Sequence, residues 1–125
     1  MKIITFDYVD LEDSCLLGWH FDPVLNQLIF DLDVSLWRGH EHYAPPLLGE
    51  YTCYKRGTLI FDFVTSINGL LPMNVVKYTI DPDGSIDYGY IEGLRYSCDD
   101  KYNFEGDFGE VIVQCQDVRL KINDL

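Results

Sequence analysis

Two histidines close together in the sequence have the spacing nearest to that of a metal site. In an extended backbone, His40 and His42 would lie on the same side of the chain, with Glu41 between them. That spacing is compatible with two metal ligands, but zinc needs a third or fourth ligand, and Cys53 and His20 are no more than conceivable in that role. The alternative is a solvated loop whose histidines have no chemical role. We therefore predict no bound metal and keep a metal-dependent hydrolase as the third of three functional hypotheses.

Asp31 and Asp33 form the other pair with a suggestive spacing. On a strand they share a face and are separated by about 6–7 Å along the backbone. This separation overlaps that of the two carboxylates of glycosidases, but those groups converge on a bond from opposite sides. Neighbours on one strand point the same way. We therefore interpret the pair as part of an exposed polar face and predict no catalytic residue.

The segment from position 81 to position 92 matches part of a calcium-binding EF-hand loop. Positions one, three, five, seven and twelve of that loop would be Asp81, Asp83, Ser85, Asp87 and Glu92. The sixth position is Ile86 instead of the glycine that the sharp turn requires, and the flanks alternate like strands. We therefore interpret Asp81 to Gly84 as a β-hairpin turn, for which Asp-Gly is a strong signal.

Motifs for nucleophilic catalysis and phosphate binding are missing from the sequence. There is no G-x-S-x-G, and the G-x-x-G pairs are not followed by a predicted helix. The sequence therefore predicts a protein that is not an enzyme and binds no cofactor.

The charge balance indicates what kind of partner could approach the protein. Nine Lys and Arg against 21 Asp and Glu give a formal net charge of −12. A field of that sign repels phosphate backbones and anionic lipids and attracts basic surfaces. We therefore predict no binding to nucleic acid or membranes and a possible basic protein partner. The plainer alternative is that the charge only keeps the protein soluble.

The N-terminal segment and the cysteines predict the compartment. The apolar run before Asp7 is too short for a signal peptide, and no later segment is long enough to span a membrane. Cys15, Cys53, Cys98 and Cys115 are far apart and show no C-x-x-C spacing. We therefore predict a cytoplasmic protein with reduced, mostly buried thiols, although an even number of cysteines leaves disulfides formally possible.

The elements that must position these residues are strands, and the clearest runs from Gln27 to Trp37. Its apolar face consists of Leu28, Phe30, Leu32, Val34 and Leu36. Asp31, Asp33 and Ser35 lie on the opposite face, which is the pattern of a strand with one buried and one solvated side. A shift of one residue would bury two carboxylates, so the sequence strongly specifies the register.

The same alternation predicts that most of the remaining chain is strand. Further strands are predicted at Ile3 to Tyr8, Cys15 to Phe21, Glu50 to Lys55, Thr58 to Val64, Val75 to Ile80, Ser85 to Ile91, Leu94 to Cys98, Tyr102 to Glu105 and Glu110 to Ile122. We place a turn at Arg56-Gly57, a β-bulge near Gln116-Asp117, and the best candidate for a short helix at Thr65 to Leu71. Residues 1–125 are thus predicted to form a single all-β domain, an antiparallel sandwich or partly open barrel of about eight strands.

A long irregular stretch follows the Gln27 to Trp37 strand and is the first place to look for a site. Its two prolines, Pro45 and Pro46, remove backbone donors, and loops on a rigid scaffold often carry function. Trp37 is the better candidate for an exposed aromatic anchor, whereas Trp19, Tyr88 and Tyr90 are expected in or at the edge of the core. The predicted binding residues are Trp37, Arg38, His40, Glu41, His42, Tyr43, Asp31 and Asp33.

Three sequence features together suggest a relationship. They are Asp13-Ser14 followed by Gly18, the alternation from Leu28 to Asp33 ending near Trp37, and the strand Gly57-Thr58-Leu59-Ile60-Phe61. In these features the chain resembles a loose group of small, acidic, uncharacterised bacterial proteins, some of which look like the immunity proteins that neutralise toxins in contact-dependent competition. Where such proteins often have histidine before the Asp-Ser pair, this chain has Glu12. The resemblance implies a bacterial, cytoplasmic all-β protein that binds a partner and catalyses nothing.

The leading hypothesis is therefore a non-enzymatic, immunity-like interaction module whose acidic face binds a basic protein. The runner-up is a small-ligand-binding sandwich or barrel, which an apolar internal cavity would favour. If the leading hypothesis holds, neutralising Asp31, Asp33 and Glu41 should slow association, whereas Trp37→Ala should mainly speed dissociation. The sequence makes no prediction of oligomeric state.

Overall fold

The computed structural model describes residues 2–82 and 84–123, so the predicted turn residue Asp83 lies outside the described residues. The strands of the described chain are β1 Lys2–Ile3, β2 Val9–Asp22, β3 Gln27–Leu36, β4 Cys53–Asp62, β5 Ser66–Asn68, β6 Thr79–Ile80, β7 Ile86–Asp87, β8 Ile91–Tyr96, β9 Lys101–Gly106, β10 Gly109–Gln114 and β11 Asp117–Ile122. The one helical element among these residues is a 3₁₀ turn at Met73–Val75. The prediction of an all-β fold with at most one short helix is confirmed.

The strands form two open antiparallel sheets and one short hairpin. One sheet has the order β1-β8-β9-β10-β5 and the other the order β11-β4-β3-β2, while β6 and β7 pair with each other. A continuous apolar cluster contains residues from both larger sheets. The architecture therefore agrees with an antiparallel sandwich.

Strand β3 lies between β2 and β4 and provides the centre of its sheet. Its five predicted core residues are 0–1% exposed, Asp31 is exposed and Asp33 is partly exposed. The predicted register is therefore confirmed. The alternation of buried and solvated residues is what fixes it, because the opposite register would place the carboxylates in the core.

Ser35 is an exception, since it lies on the predicted solvated face but is buried. The pairing of β2 with β3 shifts between Asp10 and Cys15, so that extra residues of β2 bulge over Ser35. The Ser14 hydroxyl donates to the Asp10 carbonyl oxygen at 2.8 Å and accepts the Ser35 N–H at 2.9 Å. The expectation for Ser35 was wrong because a bulge in the neighbouring strand covers this position.

Aromatic rings fill the space between the sheets around Phe30. The ring centroid of Phe30 lies 4.8 Å from that of Phe104 and 5.8 Å from that of Phe61, both in edge-to-face geometry. Trp19 is buried as predicted, and its indole N–H donates to the Leu71 carbonyl oxygen at 3.1 Å. The middle of the sandwich is therefore occupied by packed side chains at this point.

Two predicted local features differ from the structure. Arg56-Gly57 is not a turn but the middle of the continuous strand β4. A Cβ atom on Gly57 would lie 2.8 Å from the Lys121 carbonyl oxygen, so glycine is needed there for the close approach of β11. Thr65 to Leu71 is not helical, because its residues Ser66–Asn68 pair with the edge of β10.

The phase slip near Gln116-Asp117 also has a different cause from the predicted bulge. Strand β10 belongs to the five-stranded sheet and β11 to the four-stranded sheet, so the chain changes sheet at this point. The residues that face the core therefore fall at odd positions from Val111 to Cys115 and at even positions from Val118 onward.

The predicted hairpin around Asp81 to Gly84 does form, but with only two residues in each of β6 and β7.

We expect thiol reactivity to follow the burial of the four cysteines. Cys15, Cys53 and Cys115 are buried free thiols, whereas Cys98 is exposed. In the native protein a thiol-specific chromogenic reagent should therefore modify one cysteine rapidly and three slowly, and after denaturation it should count four. Cys98→Ser should remove the rapid phase alone. A count of two or zero in denatured, unreduced protein would contradict the prediction of reduced thiols.

Candidate functional site

A cleft of about 410 Å³ lies on the outer face of the four-stranded sheet, beside the β6–β7 hairpin. We call it the acidic cleft, and the residues that line it are Cys15, Asp33, Gly49, Glu50, Tyr51, Tyr54, Asp81, Pro82, Asp87 and Tyr90. Four of these residues are carboxylates and three are tyrosines, and none of the described lining residues is basic. The cleft therefore combines negative charge with aromatic surface.

The floor of the acidic cleft is set by strand register. Cys15 of β2 pairs with Asp33 of β3, and Tyr54 of β4 pairs with Ser35, two residues further along β3. Directly paired residues, and residues two apart on one strand, lie on the same side of a sheet. Cys15, Asp33 and Tyr54 are thus brought together on the outer face from positions that are distant in sequence.

The wall of the cleft is the segment from Tyr88 to Tyr90, which backbone hydrogen bonds hold in place. Leu16 accepts the Tyr88 N–H at 2.7 Å and donates its own N–H to Gly89 at 2.9 Å. The Tyr90 N–H donates to Asp107 Oδ2 at 3.0 Å, and the Asp107 N–H donates back to the Tyr90 carbonyl oxygen at 3.1 Å. This segment is therefore anchored from both sides.

Gly89 determines which way the two flanking tyrosines point. Its φ of +104° is a conformation that other residues rarely adopt, and a Cβ there would lie 2.5 Å from the Asp107 side chain. Tyr88 is buried as predicted, whereas Tyr90 is 52% exposed. The expected core-edge position of Tyr90 is not observed, because the turn at Gly89 interrupts the strand alternation and directs Tyr90 to the cleft.

Each carboxylate of the acidic cleft accepts a contact that fixes its orientation. The pairs are Asp33 with the Arg56 guanidinium (2.7 Å), Glu50 with the Leu47 N–H (2.8 Å), Asp81 with the Ser85 hydroxyl (3.4 Å) and Asp87 with the Gly89 N–H (2.7 Å). Only the first of these donors carries a positive charge. The contacts therefore hold the carboxylates in place, and the Arg56 ion pair offsets the charge of one of the four.

Burial and the surrounding negative charge also affect the neutral groups of the cleft. Burial, and next the charges of Asp87 and Asp33, raise the pKa of the Cys15 thiol to about 12. Burial likewise raises the pKa of Tyr54 to about 12, with Cys15 as the next contribution. At neutral pH both groups are therefore protonated, and Cys15 lacks the thiolate that a nucleophile needs.

Of the eight predicted binding residues, only Asp33 lines the acidic cleft. Asp31 lines a different cleft that also contains Arg56 and Asn123. Trp37 is 54% exposed and lines an apolar pocket of about 220 Å³ beside the N-terminal residues 3–6. The predicted residues are thus spread over several surfaces.

The loop after Trp37 does not assemble a recognisable metal centre. The ring centroids of His40 and His42 are 5.6 Å apart, but His40 Nδ1 accepts the backbone N–H of His42 at 3.1 Å. His42 Nε2 lies 3.5 Å from Glu41, while Arg38 is exposed and Tyr43 packs against the core. Within residues 2–82 and 84–123, no group of three or more His, Cys, Asp or Glu side chains is placed to hold a metal ion.

Most residues of the acidic cleft escaped the sequence analysis. Glu50, Tyr51 and Tyr54 follow the proline-containing loop, and Asp81 and Asp87 belong to the segment whose sequence predicts a β-hairpin turn and no binding site. The sequence signal that could have indicated a site is the concentration of tyrosines and acidic residues on either side of predicted turns. Their convergence depends on which strands are neighbours, which no local pattern specifies.

Comparison with known proteins found no matching family model, no similar curated protein and no similar solved structure. Among the described residues, no helix is long and apolar enough to cross a membrane. The fold and the cleft therefore define the class on their own. This is an antiparallel all-β protein with an acidic, tyrosine-lined surface cleft.

Proposed function

We propose that this protein is a non-enzymatic interaction module that binds a basic protein partner through the acidic cleft. The observation that carries the proposal is the composition of the lining, in which four carboxylates and three tyrosines surround one opening. A lysine or arginine side chain entering the cleft would place its charged group near carboxylates and its aliphatic stem along tyrosine rings. Both contacts favour a cation, the first through charge-assisted hydrogen bonds and the second through cation–π attraction.

The rim of the cleft carries apolar residues that are unusually exposed. Leu47 is 72% exposed, Leu48 is fully exposed and Tyr51 is 85% exposed. These residues precede or line the acidic cleft within one short segment. Contiguous exposed apolar residues beside a specific polar site are typical of protein interfaces, where a partner covers them. The rim therefore favours a protein over a free ion as the ligand.

An immunity-like role agrees with this proposal. The resemblance described above implies a protein that neutralises a toxin by binding it, and opposite charge on two partners speeds their encounter and disfavours wrong partners. The net charge of −12 supplies such a field at long range, while the cleft would supply the contacts at short range.

A second candidate is a small cationic ligand in the same cleft. The volume of about 410 Å³ lies within the range of about 300–1,000 Å³ that small-molecule sites occupy. This differs from the internal cavity considered in the sequence analysis, since the acidic cleft is on the outer face of a sheet. Native mass spectrometry of freshly purified protein distinguishes a small-molecule ligand from a protein partner, because a retained small molecule adds a small, fixed mass.

The proposal predicts a specific loss of binding when the cleft is neutralised. The cleft variant Glu50→Gln, Asp81→Asn, Asp87→Asn keeps an acceptor oxygen at each position but removes three charges. We expect it to associate about tenfold more slowly at low salt with the basic protein that the wild type captures from its source cell, and with a weaker salt dependence.

A matched control separates the cleft from the overall charge. The control variant Glu92→Gln, Asp99→Asn, Glu110→Gln changes the net charge by the same amount at exposed positions outside the cleft. At physiological ionic strength, where the Debye length is about 8 Å and a distant exposed charge is largely screened, it should associate within about twofold of the wild type, whereas the cleft variant should still be slower. Equal losses in both variants would show that the cleft has no special role and would contradict the proposal.

A further inference from the structure

We infer that the partner segment carries an apolar side chain two residues from its basic residue, and that a second cleft on the far side of Tyr90 binds this apolar side chain. This inference rests on the proposed function and specifies the chemistry of the recognised segment. The second cleft has a volume of about 460 Å³ and is called the aromatic cleft here. Its lining residues are Lys77, Tyr78, Thr79, Asp87, Tyr88, Gly89, Tyr90 and Asp107.

The aromatic cleft is suited to an apolar side chain and not to a cation. Its two carboxylates, Asp87 and Asp107, are partly offset by Lys77, whereas the acidic cleft has four carboxylates, of which Asp33 is paired with Arg56. Three of its eight lining residues are tyrosines, namely Tyr78, Tyr88 and Tyr90. The stronger negative charge therefore selects a basic residue in the acidic cleft, and the weaker charge of the aromatic cleft leaves its tyrosine rings to an apolar residue.

The aromatic cleft also has a rigid base. The Tyr88 ring is buried, and its centroid lies 5.0 Å from that of the core residue Trp19 in edge-to-face geometry. On the other side, the Tyr78 ring centroid lies 6.1 Å from that of Tyr88, and Tyr78 is 56% exposed. One side of the pocket is thus part of the core and the other is available to a ligand. A preformed pocket of this kind loses little conformational entropy on binding.

Asp87 and Tyr90 line both clefts, so the two clefts are adjacent and share a wall. That wall is the segment anchored by Leu16 and Asp107 through three backbone–backbone hydrogen bonds and one hydrogen bond to the Asp107 carboxylate. In an extended peptide, residues two apart point to the same side and are separated by about 6–7 Å. A segment crossing Tyr90 could therefore place a basic and an apolar side chain, two residues apart, in the two clefts.

Short peptides titrated into the ¹⁵N-labelled protein test this inference. The probes are acetylated and amidated Gly-Arg-Gly-Leu-Gly, the reversed order Gly-Leu-Gly-Arg-Gly, and the same two peptides with glutamine in place of leucine. We expect leucine to raise the affinity at least about fivefold over glutamine in one of the two orders, because it removes apolar surface from water. Amide shifts should then change in both clefts, at Gly89 and Tyr78 as well as at Asp81.

Two variants of Tyr78 make the test specific. Tyr78→Ala should remove the advantage of leucine and leave the affinity for the glutamine peptide within about twofold, whereas Tyr78→Phe should retain the advantage because the ring is kept. If leucine and glutamine peptides bind equally in both orders while the acidic cleft shifts, the inference is wrong and the proposed function stands. If Tyr78→Ala weakens both peptides equally, Tyr78 has only a structural role and the inference is also overturned. A lack of shifts in the acidic cleft at millimolar peptide would contradict both proposals.

Discussion

Replacing Phe30 with alanine is expected to lower the free energy of unfolding by about 3–5 kcal/mol, the largest stability loss that we predict for one substitution. Phe30 is completely buried in the central strand of its sheet. Its ring contacts those of Trp19, Phe61, Phe104 and Phe108, with centroid distances from 4.8 to 6.4 Å. Alanine would leave a cavity bordered by four rings from both sheets, and bulky rings held by two sheets can move only partly into it.

The neighbouring residue on the same strand provides the control. Asp31 lies on the opposite face and is exposed, so Asp31→Asn should change the free energy of unfolding by no more than about 0.5 kcal/mol. Urea denaturation of both variants and the wild type, followed by tryptophan fluorescence and circular dichroism, gives the comparison. A loss at Asp31 as large as that at Phe30 would contradict the inside-outside assignment of β3.

The sequence could predict the core of β3 because the information is local. In a strand, each residue's face depends only on its position, so the alternation from Leu28 to Leu36 specifies the buried side without reference to any other element. The burial of Trp19 follows from the same alternation, and the hairpin around Asp81 to Gly84 follows from the local preference of Asp-Gly for a tight turn. The all-β fold class follows from the repetition of this pattern along the chain.

Three of the wrong predictions concern features that depend on a neighbouring strand. Gly57 looks like a turn residue in sequence, but it lies in a strand because β11 approaches it closely. Ser35 looks solvated, but a bulge of β2 covers it. The slip near Gln116 looks like a bulge, but there the chain passes to the other sheet. In each case the local pattern is present, but the structure that it produces depends on strands that are distant in sequence.

The candidate site is the least predictable part for the same reason. The acidic cleft brings together residues from Cys15 to Tyr90 through the pairing of β2, β3 and β4 and through the anchored segment at Gly89. Spacing arguments find sites whose residues are close in sequence, such as the pair His40 and His42. They indicated Asp33 but gave no reason to connect it with Tyr54 or Asp87.

Tyr90→Ala is expected to weaken binding of the basic partner by at least about 2 kcal/mol, which corresponds to about 30-fold in the dissociation constant. Tyr90 lines both clefts, is half exposed, and belongs to a segment fixed by hydrogen bonds to Leu16 and Asp107. An aromatic side chain on a rigid segment at the centre of an interface is the usual form of a binding hot spot, because little ordering is needed when the partner covers it. The loss should come mainly from faster dissociation, since the ring acts in the bound state and not during the encounter.

Trp37→Ala is the matched variant, because Trp37 is 54% exposed and Tyr90 is 52% exposed. Truncating either residue removes a half-exposed aromatic ring, but only Tyr90 lines the acidic cleft. In surface plasmon resonance with the captured basic protein, Tyr90→Ala should dissociate about 30-fold faster than the wild type. The sequence alone predicts faster dissociation for Trp37→Ala, but because Trp37 lies outside the acidic cleft we expect that variant to dissociate at nearly the wild-type rate. Tyr90→Phe should lie close to the wild type if the ring face supplies the contact. If Trp37→Ala dissociates rapidly while Tyr90→Ala does not, the partner binds the surface around residues 37–43, and the acidic cleft is not the binding site.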